Sequence, residues 1–327
     1  MKRLLVTGGA GFIGSNFIRY MLDMYSANLH ITNIDLLTYA GNQSNLTDLE
    51  GLPNYQFIQG DITDVDLVRR ILQEHYDAII HFAAESHVDR SIEGPLAFFH
   101  TNVIGTLVLL EAAREYGIQR FIHISTDEVY GTLGSQGAFT ESTALAPNSP
   151  YSASKASSDL AVRAYHQTYG FPAIITRCSN NYGPIQYPEK LIPRIITNAL
   201  QDKPIPVYGD GGQIRDWLHV MDHCKAINLI LRTGQSGEVY NIGSNNERTN
   251  LEMTKRILNE LNKPHSLIQF VQDRLGHDRR YAINSGKIQR ELGWRSEISL
   301  DQGIQDTIQW YVRNEDWWKP LRLSESL

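Results

Sequence analysis

The sequence predicts an α/β protein: a Rossmann-like doubly wound parallel sheet with a smaller mixed α/β substrate lobe. Three observations predict it. Short apolar runs alternate with helix-patterned stretches through the first half of the chain, and strands that alternate with helices form parallel sheets. A glycine-rich turn, Thr7-Gly8-Gly9-Ala10-Gly11-Phe12-Ile13-Gly14, follows the first apolar run. An acidic residue, Asp35, closes the second run about twenty residues later, the spacing of a dinucleotide-binding turn.

The apolar runs at 4–7, 31–34, 55–59, 78–82, 121–125 and 173–176 predict buried strands, with amphipathic helices between them. Near Arg177 the rhythm changes, and Asn, Gly and Pro punctuate residues 180–188. The main boundary is expected there. Residues 220–231 are patterned as a helix and 238–242 as a further strand, which can rejoin the sheet. The expected division is a dinucleotide-binding domain over 1–176, rejoined by 219–242, and a second lobe from 177–218 and 243–327. No internal repeat or low-complexity tract is present.

The 327 residues, 42% hydrophobic and 20% charged, suffice for one large core and a smaller one. A formal charge of -6 provides no global basic field for nucleic acid. Cys178 and Cys224 are too few for a disulfide framework and lack zinc-site spacing, so reduced thiols and a cytoplasmic location are expected. Residues 2–6 begin like a signal peptide, but Gly8, Gly9 and Gly11 interrupt the apolar stretch. No apolar run is expected to span a bilayer.

Gly8, Gly11 and Gly14 permit a tight turn and close approach of backbone to a pyrophosphate at a helix N-terminus. Asp35 can accept hydrogen bonds from both ribose hydroxyls and would repel a 2′-phosphate, so NAD is favoured over NADP. Asp61 and Ile62, after the third strand, lie where an adenine can be contacted, or else one of them merely caps the helix beginning near Asp64. Phe82, Ala83, Ala84 and Ser86 end the fourth strand at the ligand-binding edge of such sheets. Small alanines admit a cofactor, and Ser86 can reach a substrate hydroxyl. Glu85 and His87 lack a third ligand at useful spacing, so no metal is expected.

Tyr151 and Lys155 are four apart on a helical stretch and share one face. A free Tyr titrates near about 10; an ammonium group and a positive nicotinamide ring would favour its phenolate. Thr126, Asp127 and Glu128 stand at the end of the fifth strand. Hydride transfer needs only the Tyr, the Lys and a hydroxyl such as that of Thr126. Two further carboxyl groups imply further proton transfers: a ketone at C4 of a hexose acidifies the C5 proton, which a carboxylate removes while a carboxylic acid protonates the departing C6 hydroxyl.

These motifs, with Ala83-Ala84-Glu85-Ser86-His87-Val88-Asp89-Arg90-Ser91, Asn180-Asn181-Tyr182-Gly183-Pro184, residues 187–193, Gly212-Gln213-Ile214-Arg215-Asp216-Trp217 and residues 276–282, resemble the extended short-chain dehydrogenase/reductase family. Within it they resemble the dTDP-glucose 4,6-dehydratases, nearly end to end. The resemblance implies an NAD-dependent lyase acting on dTDP-glucose, with Tyr151 as base for C4 oxidation and Lys155 as its partner. It makes Thr126 the hydroxyl that polarises O4, Asp127 the acid and Glu128 the base at C5. It adds Phe12, Ile13, Leu36, Thr38 and Thr101 to the NAD site, which Tyr151 and Lys155 also border. Ser86, Thr126, Asn180, Asn181, Lys190, Leu191, Pro206, Val207, Tyr208, Arg215, Asn250, Arg274, His277 and Tyr281 are implied to hold the nucleotide sugar. Arg215 is the clearest of these, since a guanidinium grips a diphosphate bidentately.

Leu275 stands where the family usually has proline, which removes a fixed φ from that loop. Sugar-nucleotide 4-epimerases lack the Asp-Glu pair, and the related decarboxylases have Ser in place of Asp127. A UDP-glucose 4,6-dehydratase remains an alternative, because base identity depends on pocket shape; a 4-epimerase is a weaker one. A non-catalytic NAD-binding regulator would be expected to lack Tyr151 or Lys155. The resemblance also implies a homodimer through helices at 101–116 and 151–169, where Leu107, Leu110 and an Ala-rich face suit either such a contact or packing on the sheet. Trp310, Trp317 and Trp318 are expected as packing residues.

Overall fold

The computed structural model describes residues 2–324. Its strands in chain order are β1 (Arg3–Thr7), β2 (His30–Asp35), β3 (Tyr55–Gln59), β4 (Ala78–His81), β5 (Phe121–Thr126), β6 (Ala173–Cys178), β7 (Asn180–Tyr182), β8 (Ile205–Tyr208), β9 (Ile214–His219), β10 (Val239–Ile242), β11 (Glu247–Thr249) and β12 (Ile268–Val271). Seven of them form one sheet in the order β10-β6-β5-β4-β1-β2-β3. Every pairing in it is parallel. The remaining five make a three-stranded sheet, β11-β9-β7, and a parallel pair, β12-β8.

A parallel sheet is covered on both faces, so its strands are apolar on both. Successive side chains of β1 alternate between two cores. Leu4 and Val6 pack with Phe17, Ile18, Ile227 and Ile230, while Leu5 packs with Ile79, Leu109, Leu110 and Val162. The first core is covered by helices Phe12–Tyr25 and Val220–Thr233, and the second by Val65–Leu72, Thr106–Glu115 and Pro150–Tyr169. The chain runs outward from β1 toward β3 and, through β4, toward β10. The carboxyl ends of β1 and β4 therefore frame the crevice where open α/β sheets take ligands.

Two expectations are corrected. The continuous helical stretch Pro95–Glu115 has 21 residues and a mean hydropathy of 1.5, enough to cross a membrane by length and composition. Its apolar content has a local cause, because Phe98, Leu109, Leu110, Ala112 and Ala113 are buried and the last four belong to the core beneath the sheet. For the same reason Leu110 is unavailable for a contact between subunits. The exposed apolar side chains on this side are Leu96, which is 83% exposed, Phe99, Ile104 and Leu160.

A third core, around Tyr182, Ile195, Trp217, Ile257, Tyr311 and Trp318, holds the second lobe. Trp318 is fully buried, and its indole N–H donates to the Tyr311 carbonyl at 2.8 Å. Trp317 packs edge-on to Trp310 at 4.9 Å and donates to Asn45 Oδ1 at 2.9 Å, which ties the C-terminal helices to the loop after β2.

Three buried histidines are kept neutral by desolvation. Burial lowers His123 to about 4, His219 to about 4 and His223 to about 3, from an ordinary value of 6.5. In the unfolded chain they take protons as pH falls through 6.5, while the folded chain takes none until the lower values. Stability should therefore be full above 6.5 and decline between about 6.5 and 4, by at most about 1.4 kcal/mol per pH unit for each histidine. Urea titrations across that range check this; a flat denaturation midpoint would contradict the burial of neutral imidazoles.

Candidate active site

Gly8 adopts φ +72, and a Cβ there would lie 2.5 Å from the Ala83 backbone nitrogen. The turn after β1 thus packs directly on the backbone that leaves β4. A Cβ on Gly14 would lie 2.4 Å from the Gly8 carbonyl oxygen, so this glycine lets the helix close onto the turn. Gly11 is the N-cap of helix Phe12–Tyr25 and contributes no side-chain cap. The first-turn residues Phe12, Ile13 and Gly14 line a cleft together with Gly8, Gly11, Asp35, Leu36, Thr38, Asp61, Ile62, Phe82, Ala83, Ala84, Ser86 and Thr101. All the residues expected around a dinucleotide therefore meet in one place.

Asp35 accepts N–H bonds from Leu37 on one carboxylate oxygen and from Ala10 on the other, both at 2.9 Å. Burial raises its pKa and these two bonds oppose the rise. Each oxygen keeps a lone pair for a further donor. Of the two readings of Asp61, the helix cap is overturned, because Asp64 takes that position. Asp61 lines the cleft while its Oδ1 accepts from Thr63 N at 2.8 Å, and Asp64 caps the next helix by accepting from Leu67 N.

The reactive end of the cleft is made by Ile124, Ser125, Thr126, Asp127 and Glu128 from the end of β5, and by Tyr151 and Lys155 from helix Pro150–Tyr169. Ser149 and Ser152 start that helix with a reciprocal capping box, and Pro150 occupies its first turn. Lys155 Nζ donates to the Ile124 carbonyl at 2.8 Å, pinning the helix to β5. Burial lowers its pKa to about 8, with Asp159 and Cys178 acting against the fall.

The Tyr151 phenol is raised well above its ordinary value by burial, then by Glu128, Cys178 and Asp127. This corrects the expectation drawn from the Tyr/Lys spacing. Burial and the neighbouring acidic groups outweigh the lysine, and a cationic nicotinamide, when bound, would add a positive field beside the phenol.

Asp127 is 1% exposed. Burial raises its pKa well above the carboxylate range, and the neighbouring Glu128 and Asp216 carboxylates push it further. Glu128 is also raised by burial, but Arg215 and Lys190 draw it back. Both carboxyls are therefore raised, Asp127 more strongly than Glu128, and unequal environments of this kind suit an acid paired with a base. Thr126 Oγ1 donates to Asp127 Oδ1 over a long 3.4 Å, while Asp127 Oδ2 is buried without a partner.

A second cavity opens from this end. It is lined by Leu191, Pro206, Tyr208, Arg215, Asn250, Arg274, His277 and Tyr281. Ser86, Glu128, Asn180 and Lys190 line both cavities and mark their junction. The Arg215 side chain is buried: it donates to the carbonyls of Ile214 at 2.8 Å and Asp278 at 3.0 Å and lies 4.4 Å over the Tyr281 ring. It is not paired with Asp216, whose carboxylate accepts from Ser244 and Asn246. Arg274 pairs with Asp89, and Lys190 donates to the Ser86 carbonyl at 2.9 Å. Asn180 Oδ1 and Asn250 Oδ1 are buried without partners. Polar atoms in that condition are usually completed by water or a ligand.

Two implied sugar-site residues fall elsewhere. Val207 is buried and turned inward, its Cγ1 crowding the space beside Gly211, because it alternates with Pro206 and Tyr208 along β8. Asn181 borders the dinucleotide cleft, with its amide held by His223 Nδ1 and the Ser179 carbonyl, both at 2.9 Å. Sequence reasoning missed Tyr39 and Glu189. Tyr39 lies under Arg90 at 4.0 Å and lines the cleft, and half-buried Glu189 pairs with His87 Nε2 at 3.1 Å beside the second cavity. Only the adjacency of Glu189 to Lys190 hinted at its place.

Gly8→Ala is expected to weaken dinucleotide binding by roughly tenfold or more, since a positive φ alone costs a side chain about 1–2 kcal/mol. Titration calorimetry with NAD checks it; wild-type affinity in a folded variant would show that the turn is not the cradle.

Residues 5–307 match the family model described as GDP-mannose 4,6 dehydratase. The chain is 55% identical to the dTDP-glucose 4,6-dehydratase of Xanthomonas campestris pv. campestris, over 97% of this chain and 95% of that one. It is 50% identical to the Streptomyces niveus dTDP-glucose 4,6-dehydratase, over 98% and 96% respectively. Among solved structures, the dTDP-glucose 4,6-dehydratase DesIV of Streptomyces venezuelae, crystallised with NAD, superposes with a TM-score of 0.95 at 52% identity, covering 98% of this chain and 99% of that one. UDP-glucose 4-epimerase from Thermotoga maritima shares the fold at 29% identity and a TM-score of 0.89, covering 96% and 99%. The two curated relatives above are dTDP-glucose 4,6-dehydratases, and the chain belongs to the GDP-mannose 4,6-dehydratase family of extended short-chain dehydrogenase/reductases.

Proposed function

We propose that this protein is an NAD-dependent dTDP-glucose 4,6-dehydratase, a hydro-lyase of deoxysugar biosynthesis that converts dTDP-glucose to dTDP-4-keto-6-deoxyglucose. The observation that carries the reading is the adjacent pair Asp127 and Glu128 at the reactive end of the cleft, both raised by burial and Asp127 the more strongly, with Glu128 also lining the second cavity. A 4-epimerase has no use for two such groups. The names and identity of the relatives favour dTDP-glucose over UDP-glucose.

The residues around the cleft fit NAD: Gly8 and Gly14 let the turn and the helix start pack closely, which suits a pyrophosphate at the helix N-terminus, and Asp35 keeps an open lone pair on each oxygen for ribose hydroxyls. NAD, when bound, supplies the oxidant for C4 and the reducing equivalent for C6.

Tyr151 takes the proton from the C4 hydroxyl, with Thr126 polarising that oxygen and Lys155 holding positive charge beneath. The resulting ketone acidifies C5. Glu128 removes the C5 proton while Asp127 protonates the C6 hydroxyl, and water leaves. Reduction at C6 and reprotonation at C5 complete the product. Lys190, Arg215, Asn250 and Arg274 supply charge and hydrogen bonds for the nucleotide diphosphate.

The proposed division of labour assigns 1–176 with 219–242 to NAD and 177–218 with 243–327 to the nucleotide sugar. We also propose a cytoplasmic homodimer, joined where Leu96, Phe99, Ile104 and Leu160 are exposed.

The test is to supply dTDP-glucose to the purified protein in deuterated water and follow the product by NMR. The expected product is a 4-keto-6-deoxy sugar with solvent deuterium at C5 and no net NADH. A 4-epimer without deuterium would falsify the proposal.

A further inference from the structure

The turn Asp127–Tyr130, which carries both carboxyls, and helix Pro150–Tyr169, which carries Tyr151 and Lys155, must keep register for the two halves of the reaction to act on one sugar. A single buried network connects them. Asp159 lies one helical turn beyond Lys155, and its Oδ2 accepts from Arg177 Nε at 2.8 Å. Arg177 comes from β6 and donates through NH1 to the Tyr130 hydroxyl at 3.0 Å, with its guanidinium 4.9 Å over the Tyr130 ring. Tyr130 is the last residue of the carboxyl-bearing turn and donates in its turn to Asn241 Oδ1 at 2.8 Å.

None of these groups lines either cavity, so none touches substrate. Asp159, Arg177 and Tyr130 are all buried. A buried ion pair gains little stability over apolar residues of the same shape, because desolvation offsets the attraction. What it can supply is directional geometry. The bidentate reach of Arg177 to two elements supplies it here, and a lysine's point charge could not.

We propose that Tyr130 and Arg177 are positioning residues that hold the Asp127–Glu128 turn against the Tyr151 helix, and that the Tyr130 hydroxyl acts selectively on the dehydration half. The selectivity follows from where the links fall. Lys155 is separately anchored to Ile124, and Asp159 stays paired to Arg177 without Tyr130. Losing the tyrosine hydroxyl therefore frees the turn and leaves the helix in place.

The inference rests on the dehydratase reading above, and the experiment separates the two. Wild-type enzyme and Tyr130→Phe are mixed with dTDP-glucose in a stopped-flow spectrometer, and NADH absorbance is followed together with product formation. If the wild type yields no 4-keto-6-deoxy sugar, the dehydratase reading fails before the variant is considered. With that reading intact, Tyr130→Phe should slow dehydration by about tenfold, the size of one lost hydrogen bond to a charged group. The oxidation phase should stay within about twofold of wild type, so reduced cofactor accumulates transiently. Equal slowing of both phases, or no slowing, overturns the inference, since a merely structural loss would not change their ratio. Should Tyr130→Phe fail to fold, Asn241→Ala, which removes the acceptor of the same hydroxyl, must produce the same imbalance for the inference to stand.

Discussion

Burial of ionisable groups at the carboxyl edge of the parallel sheet is the constraint on which the rest of this structure depends. Seven parallel strands covered on both faces end at the cleft, and the reactive groups Asp127, Tyr151 and Lys155 are buried there. In such surroundings every charge is unfavourable unless a partner is fixed nearby. Which groups have partners decides what each can do. Asp127 faces the Glu128 and Asp216 carboxylates, which add to the effect of burial and outweigh Arg215 and the long Thr126 bond. Glu128 is also raised by burial, but Arg215 and Lys190 together draw it back, so one sequence step separates two carboxyls that hold their protons unequally.

The same constraint explains the polar groups behind the site. Lys155, Asp159, Arg177 and His123 are buried together beneath the helix that carries Tyr151. Removing one partner of a buried ion pair costs about 3–5 kcal/mol. Each such link is therefore held to a narrow geometry. Strand β5 is the common support, since it bears His123, the carbonyl that anchors Lys155 and the residues that end at Thr126. Cys178, on the neighbouring strand, faces the same cleft with its thiol pushed up to about 12 by burial and by Asp127, which makes it an inert wall.

Much of this was legible in the sequence, because the features concerned are local or periodic. The strand at 55–59 matches β3, and β1, β2, β4, β5 and β6 differ from expectation by one or two residues at their ends. Gly8, Asp35, Tyr151 and Lys155 were legible because a turn, a strand end or a helical spacing specifies them. What was not legible depends on the other half of the chain. The phenol of Tyr151 responds to Glu128, Cys178 and Asp127 more than to the lysine four residues away, which no spacing conveys. Val207 and Leu110 show the limit of assigning an apolar residue to a surface, since strand and helix phase turned both inward. Glu189 and Tyr39 needed His87 and Arg90, distant in sequence, to give them a place.

Burial and two neighbouring carboxylates favour a proton on Asp127 more strongly than on Glu128. Infrared spectroscopy on protein labelled with 13C-aspartate, taken at neutral pH as wild type minus Asp127→Asn, tests this without substrate or turnover. The account predicts a shifted C=O band of a protonated carboxyl that disappears in the variant. A difference spectrum showing only carboxylate bands would contradict it, and with it the assignment of acid and base to this pair.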